Sequence, residues 1–150
     1  MNNSSEQSDQ SGSNEMEALQ ARVERLEDML LVLRASVEYH DNYKGLLLAL
    51  NIYGETRHAL TLVMGAIMTR ALGESRSWNV ARHPEAARRA SFIFDNGPIT
   101  RQDAVRAIAA VIDRDEATAE MVLKAHRDSG DYAGHRALRP ESECPSLRLV

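Results

Sequence analysis

Seven apolar residues, Met16, Leu19, Val23, Leu26, Leu30, Leu33 and Val37, recur near the start of the chain at spacings that alternate between three and four. That alternation holds every one of them on a single stripe of a helix, the seam of a coiled coil. It predicts a coiled-coil helix over residues 15–40. The stripe needs a cover, either the body of the same chain or a second chain. Residues 2–15 contain no large apolar side chain on which the helix could lie. Arg22 falls at heptad position g and Glu27 at e, which suits a parallel pair. The expectation is a parallel homodimer held by these seven residues, with help from the segment that follows, because so short a seam is marginal alone.

What precedes the seam is of another kind. Residues 1–14, "MNNSSEQSDQSGSN", are Ser, Asn, Gln and acid with almost nothing to bury against the entropy of ordering, so a disordered tail is expected there. The stretch lacks a basic region followed by an apolar core, so no secretory signal peptide is expected in it. Cys144 is the single cysteine, so an intrachain disulfide is excluded and a cytoplasmic location is the expectation.

Residues 41–78 form the most apolar region and read as central helices with an oligomerisation role. The uncharged run Ala59 to Thr69 falls far short of the ~20 residues that a membrane helix needs, so no membrane partner is expected. Gly54 is placed to separate two helices, and Leu60, Val63, Met64, Ile67, Met68 and Ala71 give the second a broad apolar face. His58 reads as a surface residue of that helix, and Met64 and Met68 as core filler.

Residues 79–150 read as one unit. Pro84 opens a helix that runs to about Phe94, and Gly97-Pro98 stops it. Thr100, with Asp103 three residues on, caps a second helix to about Ile112. A short turn at Asp113 to Asp115 leads to a third helix, which ends near Gly130. Beyond it "YAGHRAL" and "SLRLV" read as strands around a loop with two prolines. The 43% hydrophobic content with only 5% aromatics favours close packing of Ala, Leu, Val and Met helices over a sandwich. The fold class expected is mainly α: a coiled-coil helix, central helices and a C-terminal three-helix unit with a short β-hairpin.

The order Pro98-Ile99-Thr100, the turn at 113–115, Gly130 and a hairpin over 132–150 resembles the winged helix-turn-helix domains of prokaryotic regulators, over residues 83–150. That resemblance implies a third helix in the DNA major groove and a wing beside it. The residues it offers to double-stranded DNA are Arg101, Gln102 and Arg106 of the second helix, Arg114, Thr118, Lys124 and Arg127 around the third, and His135, Arg136 and Arg139 of the wing. The chain departs from the family pattern at His126, where a buried Leu is common. It departs again in the acids Asp115, Glu116 and Glu120 that open the third helix.

Charge tempers the DNA reading. Net charge is −5 over residues 1–44, +3 over 45–112 and −2 over 113–150, whereas a duplex binder usually carries a basic footprint. Two functions stay open. One is a homodimeric DNA-binding transcriptional regulator. The other is a non-enzymatic oligomeric adaptor, or an accessory protein of a mobile element, in which the winged fold docks another protein. No enzyme is expected, since the chain has no phosphate loop, Gly-x-Ser-x-Gly elbow, His-Glu-x-x-His or Cys-x-x-Cys. Neither a cofactor nor a metal is expected, because His126, His135 and Cys144 are too loosely spaced for zinc.

Overall fold

A computed structural model describes residues 5–38, 42–130 and 133–138. Among them are seven α-helices: α1 (Ser5–Glu38), α2 (Asn42–Ala49), α3 (Glu55–Ala71), α4 (Pro84–Ala90), α5 (Arg101–Ile112), α6 (Glu116–Asp128) and α7 (Ala133–Ala137). Short 3-10 turns at Val80–Arg82 and Ser91–Phe94 flank α4. The mainly helical class is as expected from composition.

The helix boundaries follow the local chemistry. Gly54, at φ 67°, stands immediately before α3 in a backbone conformation that a side chain disfavours. Gly97 takes φ 115° at the predicted break before Pro98. Thr100 and Asp103 form a reciprocal capping box: the Thr100 hydroxyl accepts from the Asp103 amide at 3.1 Å, and the Asp103 carboxylate accepts from the Thr100 amide at 3.1 Å. Asp113 ends α5 in the left-handed conformation, and Asp115 caps α6 by accepting from the Thr118 amide at 2.8 Å.

The break between α4 and α5 leaves carbonyls with no helical partner, and one side chain from α3 collects them. Arg70 donates to the carbonyls of Phe92 at 3.1 Å, Ile93 at 3.3 Å, Gly97 at 3.1 Å and Pro98 at 2.9 Å. The turn is thereby satisfied from inside the molecule.

One core runs through the body. Leu47 of α2, Leu60, Val63 and Ile67 of α3, Ala90 of α4, Ile108 and Val111 of α5, and Val122 and Leu123 of α6 are buried in a single cluster. Described residues on both sides of the expected boundary near 78 thus share this cluster.

Two expectations are corrected. The segment expected as the first wing strand, 132–138, instead forms α7 over Ala133–Ala137, and there is no strand among the described residues. α7 packs closely on α3: Gly134 lies against Met68, where an added Cβ would stand 2.9 Å from the Met68 Cα. The rest of the expected hairpin, 139–150, with Arg139 and Cys144, lies outside the described residues. Secondly, α1 begins at Ser5, inside the segment expected to be disordered. Extending an existing helix fixes one residue per hydrogen bond gained, a much smaller cost than nucleating one, so polar residues can follow a nucleus formed further along.

Candidate functional site

The two sides of α1 have different fates. Val32 and Asp28 are buried, at 1% and 7% exposure, against the body of the same chain. The Asp28 carboxylate accepts from the Gly54 amide at 2.7 Å and from Arg57 Nε at 2.8 and 2.9 Å, and it also pairs with the Arg57 Nη2 group. Burial pushes this carboxyl up, but the bonds from Arg57 and Gly54, with the charges of Arg57 and His58, outweigh burial and hold it below its usual value. Arg25 lies over the Tyr53 ring, 4.8 Å from its centroid.

The seven seam residues, by contrast, are all open, at 46–66% exposure. At about 100° per residue, Asp28 sits about half a turn around the helix from the middle of the seam. The body thus docks on the face of α1 opposite the seam.

The ten residues that the winged-helix resemblance offers to DNA have mixed positions. Arg101 is paired with Glu120 of α6 and reaches the Leu138 carbonyl at 3.4 Å. Gln102 donates to Glu116 at 2.9 Å. Two of the three acids that depart from the family pattern are therefore held by two of the residues offered to DNA. Arg114 donates to the Leu50 carbonyl at 3.3 Å, and Arg127 lies 3.4 Å from Asp128. Arg106 is exposed, 3.7 Å from Asp103 and over the Phe92 ring. Lys124 and Arg136 are exposed, and Thr118 is half-buried.

His135 is a correction: expected on an exposed wing, it is buried at 5% exposure. Its Nε2 shares a hydrogen bond of 2.7 Å with His126 Nδ1, and His126 in turn meets the Tyr43 ring edge-on at 5.0 Å. The departure at His126 is thus explained, since α7 brings a polar partner into the place where a leucine would pack. Below the pair, Tyr43, Lys44, Met64, Met68, His126 and Ser129 line an open cleft of about 390 Å³. Among the described residues no group of three or more His, Cys, Asp or Glu could hold a metal ion. No helix among them is long and apolar enough to cross a membrane.

Sequence reasoning missed the Asp28–Arg57 pair and the His126–His135 pair. Asp28 is one of nine acids in the first 44 residues, and nothing local singles it out.

These features define a helical body carrying a two-sided N-terminal helix. No protein-family model, curated protein or solved structure matches the chain.

Proposed function

We propose that this chain is a self-associating, non-enzymatic adaptor: the α1 seam pairs with a second copy, and the helical body is what the pair presents to other molecules. The observation that carries this reading is the two-sidedness of α1. Its own body takes the face around Asp28 and Val32, so the seam at Met16 to Val37 is left for another chain. The test is solution mass by light scattering. Wild type is expected at a multiple of the 16.7 kDa chain mass, and the pair Leu26→Asp and Leu30→Asp at the monomer mass, because each change puts an unpaired charge in a desolvated layer. A wild type at the mass of one chain refutes the proposal.

The second reading is a homodimeric DNA-binding regulator whose α5–α6 pair acts as a helix-turn-helix. It is favoured by the three-residue turn between α5 and α6, with Asp113 in the left-handed conformation, and by the exposed Arg106 and Lys124. Weighing against it, Arg101 and Gln102 are engaged by Glu120 and Glu116. Fluorescence anisotropy with a pool of random duplexes at two salt concentrations separates the two. Duplex affinity that falls with salt supports the regulator, and none at ~50 mM salt, where phosphate contacts are strongest, retires it.

A further inference from the structure

We infer that the α1 seam takes its second copy as a two-stranded, parallel, in-register coiled coil, with Glu27 of the partner subunit seated in the hollow beside Arg22, Arg25 and Tyr53. This inference rests on the self-association reading and adds to the expected parallel pair its register and a specific contact with the hollow at Arg22, Arg25 and Tyr53.

The layers of the seam carry the strand number. With Met16 at a, the a positions are Met16, Val23, Leu30 and Val37, and the d positions are Leu19, Leu26 and Leu33. Leucine fills every d layer, and β-branched valine stands at two of the four a layers. Valine or isoleucine at a with leucine at d packs best in parallel pairs, whereas isoleucine at d shifts the preference to three or four strands.

The charges carry the direction. In a parallel, in-register pair, a g residue faces the e residue five positions later on the other strand, and Arg22 and Glu27 have that spacing. An antiparallel pair joins g with g and e with e, so Arg22 would never meet Glu27. Arg22, Arg25, Leu26, Met29 and Tyr53 line a hollow beside the seam, with two guanidinium groups and no carboxylate in its wall. A carboxylate arriving from a second strand is the group that such a wall complements. Glu27 is exposed at the other edge of the seam, and no described residue pairs with it. The body leaves the seam itself open: Asp28 and Val32 hold it on the opposite face, and it reaches the rim of this hollow through Tyr53.

The test uses the full chain with Cys144→Ser as background. Leu19→Cys in that background is expected to form an intersubunit disulfide between equivalent positions under mild oxidation. Arg22→Glu and Glu27→Arg are each expected to weaken dimerisation roughly three- to tenfold, since the pair occurs twice per dimer, and the double variant to return to within about twofold of wild type. A monomeric wild type overturns self-association itself. A dimer without the 19–19 cross-link, or a mass of three or more chains, overturns the parallel pair alone. A double variant as weak as the single ones removes Glu27 from the hollow.

Discussion

Asp28 of α1 and Arg57 of α3, 29 residues apart, face one another with both carboxylate oxygens engaged by the guanidinium. The same carboxylate takes the Gly54 amide at the start of α3. One buried acid thus fixes how the seam-bearing helix leaves the body. Replacing Asp28 with Ala leaves both the guanidinium and the amide without an acceptor, at an expected cost of about 2–3 kcal/mol in urea unfolding. Because the folded pKa lies below the unfolded value of about 3.9, the contribution is present above that pH and is lost as the pH falls through the folded pKa. Hydrogen exchange in α1 should rise in the variant at neutral pH, and unchanged exchange would show that α1 is held elsewhere.

Arg70 makes its four carbonyl contacts on both sides of the break between α4 and α5. Arg70→Met keeps much of the apolar stem and removes every donor. It should lower stability by about 1.5–3 kcal/mol, with the largest rise in proteolytic cleavage near Gly97. Cleavage that rises equally throughout the chain would contradict the local role.

Gly134 is required by contact. A Cβ there would lie 2.8 Å from Met68 Sδ, 2.9 Å from Met68 Cα and 3.0 Å from the Met68 carbonyl oxygen. The sulfur can move, but the helix backbone of α3 cannot do so cheaply. Gly134→Ala should therefore cost about 1–3 kcal/mol in thermal or urea unfolding. A stabilised variant would show that α7 does not pack on α3 in this way.

His135 should make stability fall in mild acid. Burial first, then the positive charges of Arg127 and Arg101, hold its imidazole below the usual histidine value, against an upward pull from Asp128. Its folded pKa being depressed, the folded chain binds fewer protons than the unfolded one below the ordinary value of about 6.5. Stability is then lost as the pH drops below that value. His135→Gln should flatten the dependence of melting temperature on pH between about 7.5 and 5.5. An identical slope in the variant would assign the effect to other histidines.

The sequence by itself determined what is local. Alternating threes and fours marked the seam, Gly54 and Gly97-Pro98 marked helix breaks, and Thr100 with Asp103 marked the start of α5, because spacing, φ freedom and cap chemistry act within a turn or two of the chain. Only the tertiary structure decided which face of α1 the body would occupy, because Asp28 finds Arg57 and Gly54 from 26 to 29 residues away. Only the tertiary structure placed the expected first wing strand as a helix against α3: the close fit of Gly134 on Met68 is invisible in either segment alone. The same long-range packing buried His135 on His126 and tied Arg101 to Glu120 at the surface, giving two residues read as a nucleic-acid surface partners within the chain, since a basic side chain has the same local pattern whether its partner is a phosphate or a neighbouring helix.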